Sequence, residues 1–227
     1  MKSIPKGAFY GISVERIIFP SNLKTIEEEA FYKAKIASVT IPKNIESIGD
    51  TAFYDCGIRV LKIEIGVKSI GRYAFYDNNI SELILPNSIT AIEAGAFSSC
   101  GISKLTLPSK LKRIEDSTFS GCGITEIVIP KTVTYIGTNA FEYNRLKTLK
   151  LPEKLEYIGH MAFYRDFDRY ENPNNFVTEV KIPAKVSFIG NRPFYPRAKL
   201  IVKKNSYAHN WCDNSENKEF FNGYTTY

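Results

Sequence analysis

Three of the four cysteines, Cys56, Cys100 and Cys122, stand at multiples of 22 residues from one another, and Tyr10, Tyr32, Tyr54 and Tyr76 keep the same interval. Thiols, imidazoles and phenols are the side chains of this chain most able to do chemistry, so their spacing decides which reactions are open to it. Zinc binding needs paired ligands such as Cys-x-x-Cys; no such pair occurs, and the only histidines are His160 and His209. Cys100 and Cys122 would lie about 5 Å apart if they sit on adjacent strands, which is disulfide range, although side chains pointing the same way would have to twist. The blander reading of this column, whose other members include Asn78 and Asn144, is a turn where a small inward side chain bonds neighbouring backbone. Both readings stay open here. Cys212 stands alone near the C-terminus. No G-x-S-x-G elbow, phosphate loop or H-E-x-x-H helix is present. His160 shares its column with Asp50, Arg72, Ala94, Asp116 and Thr138, a mixture expected of an exposed position without a catalytic partner. The expectation is a protein with no catalytic, cofactor-binding or metal-binding residues, and not an enzyme.

The elements that position these columns follow from one repeat. Ala-Phe recurs every 22 residues at Ala8-Phe9, Ala30-Phe31, Ala52-Phe53, Ala74-Phe75, Ala96-Phe97, Ala140-Phe141 and Ala162-Phe163, with Thr118-Phe119 in the remaining slot. A unit this short cannot bury its own apolar side chains and must stack on its neighbours. The rung Ile80–Gly101 shows the pattern: Ile80, then Leu83 and Leu85 in alternation, Pro86, Ile89 and Ile92 three apart, Ala96-Phe97, and Cys100-Gly101. The alternating pair predicts a short strand with both apolar side chains inward. Proline, which lacks an N–H, ends it at a corner; only Glu64 breaks the proline series. The apolar residues three apart predict a second short extended side, often closed by Gly. The solenoid is expected over residues 1–202, with a C-terminal cap and tail over 203–227. Between Phe163 and Phe194 the spacing is 31 residues. An insertion at about 165–175 is therefore expected, read either as a tolerated surface loop or as a recognition loop.

Any binding belongs on the faces of such a stack. The outward residue of each strand makes the ladder Ile18, Thr40, Lys62, Ile84, Thr106, Val128, Lys150 and Lys181, flanked by Arg16, Ser38, Val60, Glu82, Lys104, Glu126, Thr148 and Glu179. Arg16, Ile18, Thr40, Lys62, Ile84, Lys104, Val128, Lys150 and Lys181 are the candidate partner-binding residues. Exposed β-branched residues also simply suit strands; as a site, they would form an extended surface with Lys and Glu supplying register. Tyr10, Tyr32, Tyr54 and Tyr76 form a second candidate, an aromatic strip that either packs between coils or recognises protein or glycan. Tyr135, Tyr157 and Phe188 repeat the theme on a smaller scale.

Composition narrows the partners. Net charge is +6 with pI near 9.0, yet Lys and Arg are scattered and form no basic run, so nucleic acid is not expected. No apolar run reaches the 18 or so residues of a membrane span. Met1 falls in register with Leu23, Ile45 and Val67, which reads as a start in mid-repeat. The chain is expected to be a fragment of a longer protein, its signal lying upstream, with a cytoplasmic protein as the alternative. An uncapped first rung could also pair end to end with another copy.

The Ile-Pro strand, the Ile-Gly corner and Ala-Phe-x-x-Cys together resemble the BspA-like leucine-rich repeats over residues 1 to about 202. The segment Leu200–Ala208 looks like the strand and short amphipathic helix that close such arrays. The resemblance implies a right-handed, curved array, α/β or mainly β, of about nine 22-residue rungs with a parallel sheet face. It further implies a non-enzymatic protein-binding or adhesion module of a secreted or cell-surface bacterial protein, with a ligand on a host or neighbouring cell. A carbohydrate-binding module using the tyrosines and a structural spacer are the alternatives.

Overall fold

A computed structural model describes residues 2–165 and 177–227. The insertion expected at about 165–175 lies, apart from Arg165, outside the described residues. The chain winds as a parallel-strand solenoid of about 10 turns. The phenylalanine of each Ala-Phe stacks on that of the next rung, from Phe9 through Phe163 to Phe194. Centroids are 5.0 to 5.9 Å apart and ring planes lie within 15° of parallel. Ala30, Ala52, Ala74, Ala96, Ala140 and Ala162 are fully buried where successive coils close on each other; Thr118, equally buried in the same slot, gives its hydroxyl to the Glu115 carbonyl at 2.8 Å. The Ala-Phe turn is bracketed by residues in the left-handed region, at Glu29, Thr51, Tyr73 and Asn139 on one side and Lys33, Asp55, Asp77 and Tyr143 on the other. At the Ile-Gly corner, a Cβ on Gly159 would come within 2.4 Å of the Gly137 backbone, so this coil-to-coil approach requires glycine.

The two extended sides differ from expectation in their continuity. The Ile-x-x-Ile side, expected to be the lesser one, carries the longer ladders. Ser3–Ile4, Thr25–Ile26, Ser47–Ile48, Ser69–Ile70 and Ala91–Ile92 form a five-stranded parallel sheet. Arg113–Ile114, Tyr135–Ile136, Tyr157–Ile158 and Phe188–Ile189 form a four-stranded one. Tyr157 pairs with Phe188, 31 positions on, so the extra residues leave the register intact. The side expected to be the main sheet is broken into the pairs Ser38–Ile41 with Val60–Ile63 and Glu82–Ile84 with Lys104–Thr106, and the triple Glu179–Lys181, Lys199–Val202 and Tyr224–Thr226. Elsewhere, among the described residues, isolated bridges join Ser13 to Lys35, Arg16 to Ser38 and Lys104 to Glu126. Proline ends the strand in seven rungs and removes a donor from this side each time. Where Glu64 stands instead, its N–H bonds the Ile41 carbonyl at 2.9 Å, within the longest of the strand pairs.

At the C-terminal end the helix Tyr207–Asp213 buries Ala208, Trp211 and Cys212, with the Ser206 hydroxyl capping its start by accepting from the His209 N–H. The tail is more than a tail: Tyr224–Thr226 returns to pair with Lys199–Val202 as a further parallel strand.

Candidate binding surface

The alternation of the short strands turns one row of side chains out. Ser38–Ile41 and Val60–Ile63 both run exposed, buried, exposed, buried, placing Thr40 and Lys62 in solvent opposite each other. Arg16, Lys104, Lys150 and Lys181 are likewise exposed. Ile18 at 79%, Ile84 at 62% and Val128 at 85% stand among the most exposed large apolar side chains of the chain, with Val60 at 61% beside them. All nine candidate residues therefore lie on one side of the stack, although the breaks in the sheet divide them into groups.

Charge on this face follows the expected Lys–Glu register only in part. Glu82 faces Lys104 in the paired strands and Lys104 faces Glu126 across a single bridge. Lys62, however, bonds Glu64 of its own rung, just past the strand, at 3.2 Å. Ion pairs between rungs sit at other corners, where Glu46 binds Lys24 at 3.0 Å and Lys68 at 2.6 Å and Lys6 binds Glu28 at 2.9 Å. Hydrogen bonds from Lys68 and then Lys24 hold the Glu46 carboxyl down to about 2.

The tyrosine strip forms as a stack. Tyr10–Tyr32, Tyr32–Tyr54 and Tyr54–Tyr76 have centroids 5.2, 4.8 and 4.8 Å apart and planes within 20°. Each inner ring therefore gives its faces to its neighbours and offers solvent its edge. Burial raises the Tyr54 phenol above its ordinary value. The strip stops at Ser98, and Tyr164 and Tyr195, later in the same column, are buried. Tyr135, Tyr157 and Phe188 stack at 4.5 Å, and Arg113 lies 3.6 Å over the Tyr135 ring.

The cysteine column is a hydrogen-bonding spine. Cys56, Cys100 and Cys122 donate to the carbonyls of Phe31, Phe75 and Phe97 at 2.9, 2.9 and 3.0 Å, and all four cysteines are free thiols. Asn78 and Asn144 donate to the corresponding Phe53 and Phe119 carbonyls and also accept the N–H of Ile58 and Ile124. Burial pushes Cys56 up to about 12 and Cys122 to about 11, and raises Cys100 well above a normal thiol. Such thiols are structural donors, poorly suited to nucleophilic attack.

The mixed column holding His160 has a role the sequence reading missed. Asp50, Asp116 and His160 accept the backbone N–H of Arg72, Thr138 and Asn191 in the next rung, at 2.8, 2.8 and 3.0 Å. The trace of this in the sequence is that acceptor side chains return at the column beside the Ile-Gly corner. Among the described residues no cluster of His, Cys, Asp and Glu could hold a metal ion, and no helix is long and apolar enough to cross a membrane.

Comparison with known proteins agrees with this architecture. The model of the BspA type leucine rich repeat region matches in six copies, over residues 2–122 and 68–201. No curated protein matches the chain. A leucine rich cell surface protein from Faecalibacterium prausnitzii A2-165 superposes with a TM-score of 0.61 at 24% identity, over 84% of this chain and 69% of that one. A leucine-rich repeat protein from Bacteroides ovatus ATCC 8483 gives a TM-score of 0.50 at 18% identity, over 88% of this chain and 66% of the other.

Proposed function

The chain belongs to the BspA-type leucine-rich repeat family, and from that premise we propose that it is a non-enzymatic protein-binding module that engages its partner through the strand face. The observation that carries this reading is the row of Ile18, Ile84 and Val128, left in water among Lys62, Lys104, Lys150 and Lys181. Exposed apolar anchors within a polar, charged frame are what a protein interface needs. Placement on a bacterial cell surface or in secretion is part of the proposal, in keeping with the cell-surface protein of the same fold. The test is a pull-down of extracellular-matrix and bacterial surface proteins on the immobilised chain, repeated with Lys62→Glu, Ile84→Glu and Lys150→Glu combined. A saturable partner lost in the triple variant supports the module. A partner retained in full by the variant, or no partner at all, refutes it, the latter in favour of a spacer.

Glycan binding through Tyr10, Tyr32, Tyr54 and Tyr76 is the weaker reading on physical grounds. Sugars stack their C–H faces on open aromatic faces, and here those faces meet each other.

A further inference from the structure

Two openings interrupt the strand face, and each coincides with a break in the ladder. The first, of about 450 Å³, lies where Val60–Ile63 and Glu82–Ile84 belong to different sheets, and is walled by Val60, Leu61, Ile63 and Ile84. The second, of about 750 Å³, lies beyond Lys104–Thr106 and is lined by Leu105, Leu107, Ile127, Val128, Ile129 and Pro130. There the stack is loosened: Leu105 and Ile127 are only half-buried, whereas Val39 and Leu83 in the same column are buried. No backbone hydrogen bond ties Val128 or Ile129 to either neighbouring rung. Side chains that elsewhere seal the core thus present apolar surface outward, beside unpaired backbone polar groups that favour a polypeptide over a purely apolar ligand.

Charge narrows the occupant. Each opening is rimmed by two cations and one carboxylate, Arg59 and Lys62 with Glu82 at the first, Lys131 and Lys150 with Glu126 at the second. Among the described residues Arg59, Lys131 and Lys150 form no ion pair. Lys62 is paired with Glu64, which leaves Arg59 at the first opening and Lys131 and Lys150 at the second as the unpaired cations, and these call for negative charge on the partner. Spacing narrows it further. Ile84 and Val128 are two rungs apart, roughly 10 Å at the strand spacing, consistent with the 4.8 Å between stacked tyrosines. A polyproline II segment rises about 9 Å in three residues and returns to the same side, so side chains at i and i+3 reach both openings.

We propose that the strand face binds an extended, acidic polypeptide segment of polyproline II type, laid across the rungs, whose apolar side chains recur every third residue and seat in these two openings. The inference rests on the strand-face reading above and specifies its partner. The test is fluorescence anisotropy of a labelled peptide of repeated Leu-Pro-Glu units with the full chain, alongside a Leu-Pro-Lys control. Saturable binding of the acidic peptide is expected, weakened about tenfold by Ile84→Glu and by Val128→Glu, each burying a charge where an anchor seated, and weak or absent for the basic control. Both positions are exposed, and circular dichroism of the variants checks that the fold is kept. Failure of the acidic peptide to bind, equal binding of the basic one, or affinity unchanged in both variants overturns the proposal. If the peptide fails while the immobilised chain still captures a partner through Lys62, Ile84 and Lys150, the strand-face reading stands and this refinement falls.

Discussion

Asn78 does more than a cysteine can in the same slot. Its amide donates to the Phe53 and Phe75 carbonyls at 2.9 and 2.8 Å while its oxygen accepts the Ile58 N–H at 2.9 Å. Cys100 also serves the Phe75 carbonyl, so Asn78→Ala would orphan two buried backbone groups, the Phe53 carbonyl and the Ile58 N–H. A buried unsatisfied group costs about 1–3 kcal/mol, and Asn78→Ala is expected to destabilise the fold by about 2–4 kcal/mol in urea denaturation. Asn78→Cys should recover roughly half of that, because a thiol there can reach the Phe53 carbonyl as Cys56 reaches Phe31. Equal losses in the two variants would show that the column is filled for volume and not for hydrogen bonding.

At the scale of the element, what could be read from sequence and what could not divides by the kind of interaction. Apolar periodicity located the buried columns, the stacked Phe core and the outward ladder, because burial is imposed side chain by side chain and leaves its mark on residue type. Ladder continuity leaves no such mark: it depends on backbone donors and on how rungs twist against each other, so the strand face read as one sheet though it is broken in several places. The final strand Tyr224–Thr226 was hidden for the same reason, since it lies outside the repeat that made the others visible. The candidate residues were correctly placed outward, but the two openings between them arise from imperfect stacking and have no residue signature. Ion pairing shows the same limit. The Lys24–Glu46–Lys68 ladder follows the 22-residue period, yet sequence alone did not distinguish this corner from the strand face. Glu46 is expected to titrate near 2, below the ordinary 4.5, in a carboxyl-resolved NMR titration. Its folded value is depressed, so its contribution to stability is present above about 4.5 and is lost as pH falls toward 2. Because the group is exposed, molar salt or Lys68→Gln should move its midpoint back toward 4.5. A midpoint insensitive to both would mean that the pair does not form in solution.

For the whole molecule, the spine of buried thiols makes stability depend on alkaline pH. Cys56, Cys122 and Cys212 are held at about 12, 11 and 12, and Cys100 higher still than a normal thiol at 9, by burial above all. In the unfolded chain these groups lose their protons near pH 9, whereas the folded solenoid keeps them. The folded state therefore binds more protons above pH 9, and linkage requires stability to fall as pH rises through the window from about 9 to 12. The effect accumulates along the array because each rung contacts only its neighbours, so opening any thiol-bearing rung releases its own proton without waiting for the rest. Serine can donate the same hydrogen bond without ionising in this range, and Cys56→Ser, Cys100→Ser and Cys122→Ser combined should flatten the decline of the urea midpoint between pH 8 and 11 (roughly one unit below to two above the free-thiol range). Cys212 and the tyrosines whose phenols burial also raises, Tyr54 and Tyr135, remain in both proteins, so only the share of the three replaced thiols should disappear. An identical slope with and without the three thiols would place the alkaline sensitivity in Cys212 and the tyrosine stacks instead.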